Sequence, residues 1–194
     1  LLLVVLAGLG YGYHYLGQSK PLYSGEVTQL GLSAAVNISR DALGIAVING
    51  QNRVDVSQAL GFVHAQERYF QMDLLRRSAA GELSELFGKD ALVYDRPRRL
   101  HQFRQRAKLI YQQLSASERS NLDAYVKGVN QGLQALAAMP AEYALIDEEP
   151  RPWAAEDSLL VAYAMYFDLQ DSTGAFDLTR GIMQRTLPAG LYAY

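Results

Sequence analysis

The sequence predicts an α+β chain dominated by helix, with one β hairpin followed by five or six helices. Ala35-Val36-Asn37-Ile38-Ser39 alternates apolar with polar residues, and Gly44-Ile45-Ala46-Val47-Ile48 is a β-branched run. Between Asp55 and Gly81, Leu60, Val63, Phe70 and Leu74 recur at helical spacing. Ser115-x-x-Glu118 then reads as a capping box that launches another long helix.

The elements follow in order. Leu1 to Leu9 is unbroken apolar sequence, and low polarity continues to Leu16. At ~1.5 Å per residue this stretch falls short of the ~30 Å hydrocarbon core of a bilayer. The chain begins with Leu, which points to residues upstream. Residues 1–17 read as a secretory h-region or as an uncleaved signal anchor, with a buried core helix as the plain alternative. The segment lacks a small-x-small cleavage site ahead of Lys20, which favours the anchor. Residues 18–32, with Lys20-Pro21 and Ser24-Gly25, read as a polar linker, and 33–194 as one folded domain. Arg40 to Leu43 turns the hairpin, and Asn49-Gly50 closes its second strand.

Asp55 with Gln58 is expected to cap a helix that ends at Ala80, where Gly81 stops it. Phe62, Tyr69 and Met72 flank its apolar stripe, so most of its circumference should be covered. Ser84 to Phe87 is a short turn ended by Gly88. Helices are expected from Arg98 to Leu114, from Ser115 to Met139-Pro140, and from the Pro150-Pro152-Trp153 corner to Leu169. In the last of these, Glu156 and Asp157 complement the dipole of the first turn. A polar loop, residues 170–174, precedes a final helix from Asp177 to Arg185.

Composition bounds the chemistry. The 194 residues are 49% hydrophobic and 20% charged, with a net charge of -2 and no cysteine. That is a globular composition without a basic stripe, so nucleic acid is not an expected partner. Thiolate chemistry and disulfides are excluded. Gly31-Leu32-Ser33-Ala34-Ala35 lacks the second glycine of a nucleophile elbow. His14, His64 and His101 are too dispersed for a zinc site. His64, inside the long helix, reads as a hydrogen-bonded structural residue, and His14 and His101 as exposed. Asp73 and Arg77, four apart, share a helix face and form an ion pair. With Glu67, Arg68 and Arg76 nearby, the cluster reads as structural rather than as an acid–base pair.

One run says more. Gly61-Phe62-Val63-His64-Ala65-Gln66-Glu67-Arg68-Tyr69-Phe70-Gln71-Met72-Asp73, continuing to Gly81-Glu82-Leu83-Ser84-Glu85-Leu86-Phe87-Gly88, resembles the signature of the penicillin acylase family α chain. Arg40-Asp41 with Gly44, Glu118-Arg119 with Ala124-Tyr125 and Gly128-Val129-Asn130, and Pro150-x-Pro152-Trp153 with Asp157-Ser158 follow in family order. The resemblance runs from about Ser33 to Met183. The Pro-His pair common in relatives after Arg-Asp-x-x-Gly is absent from Ala46 to Gly50.

The resemblance implies the α-chain part of an αββα N-terminal nucleophile hydrolase. The nucleophile, usually Ser, would begin a separate β chain cut from the same precursor, and this chain would hold no catalytic residue. The expected activity is hydrolysis of N-acyl amides such as β-lactam side chains, acyl-homoserine lactones or acyl-peptides. The expected location is the periplasm or cell envelope, with a tether to the inner membrane. Met165 and Leu169, with Tyr166 nearby, would line the acyl pocket, plain core packing being the alternative for Met165 and Leu169. No cofactor is implied for catalysis. A structural calcium is, with Asp177 as ligand if two residues are inserted in the loop, or Ala175 at that place if none are. Asp177 serves equally well as a helix N-terminal residue. A rival from another class is a membrane-tethered helical interaction module without catalysis.

Overall fold

The computed structural model describes residues 1–28, 30–170 and 173–192. Strands β1 (Asn37–Arg40) and β2 (Ala46–Asn49) pair antiparallel, with Asn37 opposite Asn49 and Arg40 opposite Ala46. The hairpin forms because Asp41 closes it. Its carboxylate accepts the Leu43 and Ile45 N–H groups, both at 2.9 Å, and Gly44 takes the left-handed conformation at φ 79°.

Of the helices, α1 (Leu2–Gln18) buries no residue, so it is not a core helix of this chain. No described helix is long and apolar enough to cross a membrane. The expected linker lies against the fold. The Leu22 N–H reaches Gln66 Oε1 at 2.9 Å, and Leu30 is buried.

Helix α2 (Arg53–Ala80) is the axis of the domain, and it starts ahead of the expected cap. Asn52 is the cap, its side chain accepting the Asp55 N–H at 2.9 Å. The Asp55 carboxylate instead takes the backbone N–H groups of Ser33 and Ala34 at 3.0 and 2.9 Å. Gln58 donates to the Leu30 carbonyl. These groups lie in a part-buried region without a strand partner, where an unmet N–H is costly. Arg68 departs from helical geometry (φ -153°, ψ 32°), and Gly81 ends the helix at φ 72° as expected. Its buried positions, from Asp55 to Ala79, include Phe62, Val63, Tyr69 and Met72, and they leave no single polar face.

Against α2 packs α6 (Ala116–Gln134), opened by the expected capping box at Ser115 and Glu118. The two backbones touch through glycine. A Cβ on Gly128 would overlap the Gln58 carbonyl, one on Gly132 the Phe62 carbonyl, and one on Gly61 the Tyr125 carbonyl. Beside this contact Ala65, Tyr69, Met72, Leu86, Val129, Tyr143 and Trp153 form the core. Each large apolar side chain fully removed from water there contributes roughly 2 kcal/mol.

The stretch between departs from expectation. After α3 (Ser84–Phe87) comes a helix that was not expected, α4 (Leu92–Arg99), and the helix expected from Arg98 to Leu114 is α5 (Phe103–Gln113), which starts only after Gln102 turns left-handed at φ 52°. Asp95 ties α4 to the chain at Leu83 and Ser84. Wholly buried, it accepts the Leu83 and Ser84 N–H groups at 2.9 and 2.8 Å and closes the loop after α2. Helix α6 stops at Gln134 rather than at Met139, and beyond it the Ala138 N–H turns to the Gln18 carbonyl of α1. A short α7 (Ala141–Ile146) follows Pro140, and α8 (Ala155–Asp168) leaves the proline corner where expected. Two compact units result, one of residues 1–164 and one starting at Met165. The second carries α9 (Ala175–Thr186) and α10 (Ala189–Tyr192), neither with a buried residue.

Candidate functional site

The polar heart of the larger unit is a buried ion network centred on Arg76. Its Nε donates to Asp73 at 2.7 Å and its Nη1 to Asp157 at 2.5 Å. The remaining donors reach the carbonyls of Pro152 and Arg151, both at 2.9 Å, and the guanidinium lies 4.8 Å from the centre of the Trp153 ring. Burial alone would lower the Arg76 pKa, but Asp157 and Asp73 outweigh it and the net shift is upward. The expected pair of Asp73 with Arg77 is present at 2.9 Å, and Tyr143 adds its hydroxyl to Asp73 at 2.6 Å.

Asp157 does more than complement a dipole. It is buried, accepts the Ala154 N–H at 2.8 Å, and binds Arg104 as well as Arg76. Arg104, on α5, is half-buried and also grips Glu82. The chain therefore fixes the first turn of α8 from both α2 and α5. The α2 cluster is structural, as its composition implied. The sequence signal that was missed is the pair of acids after Trp153, whose second member faces inward.

His64 is the structural histidine expected, with Nδ1 3.0 Å from the Tyr125 hydroxyl. Burial, then the charge of Arg68, holds its pKa below the ordinary value, with Glu67 opposing. Burial pushes Tyr125 up to about 12, so the pair is neutral near pH 7. His14 and His101 are exposed; His14 lies 2.9 Å from Gln18, and His101 stacks on Phe103.

Two clefts flank the hairpin. One of about 460 Å³ is lined by Val27, Leu30, Val36, Ile38, Ala59 and Phe62. Its neighbour, about 380 Å³, has Tyr23, Arg40, Gln66 and Glu67 on its walls. Arg40 is paired with Glu67 and lies over the Tyr23 ring, so the charges of this wall are already matched.

The residues expected to line an acyl pocket, Met165, Tyr166 and Leu169, are 64, 56 and 75% exposed at the end of α8 and just beyond it. Within the second unit they are not core residues of this chain. Asp177 stands exposed in the first turn of α9. Among the described residues no group of three or more His, Cys, Asp or Glu is placed to hold a metal ion. Asp171 and Ser172, through which the calcium alignment was drawn, lie outside the described residues.

These features define a helical scaffold chain that holds one helix by its buried acidic first turn and presents the far end of that helix to the outside. The penicillin amidase family model matches residues 35–191, and the chain belongs to that family. It is 40% identical over 141 residues to a Penicillin acylase 2 proenzyme of a Pseudomonas species, covering 73% of this chain and 18% of that protein. It is 37% identical to the Acyl-homoserine lactone acylase QuiP of Pseudomonas aeruginosa, again 18% of that protein against 78% of this one. The chain thus spans about a fifth of the length of these curated relatives. Among solved structures, a thermostable Penicillin G acylase from Alcaligenes faecalis shares the fold, with a TM-score of 0.64 and 22% identity. There the match covers 83% of this chain and 90% of that one.

Proposed function

We propose that the chain is the α chain of an N-acyl amidohydrolase whose nucleophilic Ser begins a β chain cut from the same precursor. One contrast carries the reading. The sequence covers 18% of a full-length acylase proenzyme yet 90% of a single chain in a solved acylase. A segment that matches one chain of a solved acylase over most of its length fits the α-chain part of such an enzyme. The β-chain Ser would attack the amide carbonyl, release the amine, and pass the acyl group to water. The groups on this chain bind and orient. Met165, Tyr166 and Leu169 present apolar surface for an aliphatic or aryl acyl group, and the Asp157 node fixes where their helix begins.

The substrate class follows the names of the relatives, the acyl side chain of a β-lactam or an acyl-homoserine lactone, and an acyl-peptide carries the same N-acyl amide. Asp177 contributes one carboxylate to a structural calcium completed by the partner chain, since calcium takes 6–8 oxygens and Asp177 alone cannot supply them. The same reading puts the protein in the cell envelope, with α1, which buries no residue, as its membrane-directed segment.

Native isolation of the full precursor's products, with intact mass and amino-terminal sequencing, tests this. A tightly bound second chain beginning with Ser, and hydrolysis of penicillin G or an acyl-homoserine lactone by the pair, is expected. A chain that purifies alone and gives no amide hydrolysis would overturn the reading.

A further inference from the structure

Helix α5 meets α8 at two levels. Arg104 reaches Asp157 at 2.9 Å in the first turn of α8. Phe103, its neighbour, meets the same helix further on. Its buried ring stacks on that of Tyr163, with centroids 4.5 Å apart and planes 15° from parallel, and the His101 ring lies near-parallel to it at 5.1 Å. Just ahead, Gln102 holds the left-handed conformation at φ 52°, which is unfavourable for a residue with a Cβ. The first two residues of α5 thus grip α8 at Asp157 and Tyr163, about 9 Å apart along its axis.

The stack stands apart from the core. The buried residues of α8 are Asp157 and Leu160, and Val161 packs against the core cluster, which includes neither Phe103 nor Tyr163. Tyr163 is half-buried, and at about 100° per residue it lies about 200° round the helix from Met165. The Asp157 node holds the start of α8 but does not set how its later turns roll. A ring against Tyr163 braces the flank opposite Met165 and opposes that roll. We propose that Phe103 is a positioning residue for the N-acyl substrate. Through Tyr163 it sets the roll of α8, and with it the direction in which Met165 and Leu169 meet the acyl group. The inference rests on the reading of those two residues as acyl-lining, and it adds a residue that itself touches no substrate.

The two-chain enzyme proposed above, produced from its full precursor, provides the test, with kcat/KM measured on two N-acyl substrates that differ only in acyl length. Phe103→Leu should change the ratio of the two values about tenfold, chiefly through KM, while the chains still co-purify. Tyr163→Leu should reproduce that change, and the two substitutions together should add little to either alone. Tyr163→Phe, which keeps the ring, should keep the native ratio. Because Tyr163 lies outside the core, its variants carry the test if Phe103→Leu does not fold. An unchanged ratio, or an equal loss on both substrates, in Phe103→Leu and Tyr163→Leu overturns the inference. Met165→Ala separates the two levels of failure. If it shifts the ratio while Phe103→Leu and Tyr163→Leu do not, the acyl-lining reading stands and the positioning role falls. If it shifts nothing, both fall.

Discussion

Arg76 and Asp157 meet at 2.5 Å across 81 residues of sequence, and both are buried. The contact joins the second half of α2 to the first turn of α8. Desolvating two charges costs about as much as their attraction returns, so the pair places α8 more than it stabilises the fold. Removing one partner is another matter. Arg76→Met leaves Asp157 to Arg104 and Asp73 to Arg77, and frees two carbonyls at the proline corner. A loss of about 3 kcal/mol in urea unfolding is expected. In a double-mutant cycle, Arg76→Met with Asp157→Asn should cost clearly less than the sum of the single changes.

The glycine contact between α2 and α6 allows less tolerance. At Gly128 an added Cβ would meet backbone, which cannot swing away as a side chain can. Gly128→Ala must push the helices apart and should cost about 3 kcal/mol. Gly181→Ala, a helical position with nothing within 4 Å, is the control. It should leave stability equal or slightly higher, because alanine is the better helix former.

Asp55 gives the acid limb of stability a definite shape. Hydrogen bonds from the Ser33 hydroxyl and N–H, then from Asn52 and Ala34, hold its pKa at about 2 against an ordinary 3.8, with burial opposing. The folded chain therefore binds fewer protons than the unfolded chain between these values. The stabilisation is complete above about pH 4 and is lost as the pH falls through about 2. Thermal unfolding from pH 5 to pH 2 should show a steeper fall for the native chain than for Asp55→Asn. The variant should start from a lower melting temperature at pH 5.

What could be read in advance was local. The hairpin, the end of α2 at Gly81, the Ser115–Glu118 box and the Asp73–Arg77 pair each depend on residues within a few positions of one another. What could not be read was long-range. Asp55 has the chemistry of a cap, but the incoming Ser33 and Ala34 N–H groups claim its carboxylate, and Asn52 takes the cap. Asp95 looks like a surface acid beside Arg96 and Pro97 until the loop at Leu83 folds onto it. Asp157 likewise shows only its helix-start role until Arg76 and Arg104 arrive from elsewhere. The same limit applies to Met165, Tyr166 and Leu169. Apolar spacing on α8 fits a core face and a ligand face equally, and their exposure removes only the reading as core of this chain.

Met165 and Leu169 supply the discriminating case. With most of their surface exposed on this chain, neither supports its core. Met165→Ala and Leu169→Ala should each change the stability of the chain alone by no more than about 0.5 kcal/mol, as surface substitutions do. In the two-chain enzyme proposed above, the same substitutions should act on substrate choice. A shortened side chain in an acyl pocket leaves space beside a small acyl group and room for a larger one. A missing methylene contact is worth about 1–3 kcal/mol there, so kcat/KM for a small acyl group should fall roughly tenfold while that for a longer chain holds or rises. The ratio of the two, measured on a pair of N-acyl substrates that differ only in acyl length, reads the pocket directly. Equal losses on both substrates would assign Met165 and Leu169 to the contact between chains instead, because a loosened assembly weakens every substrate alike.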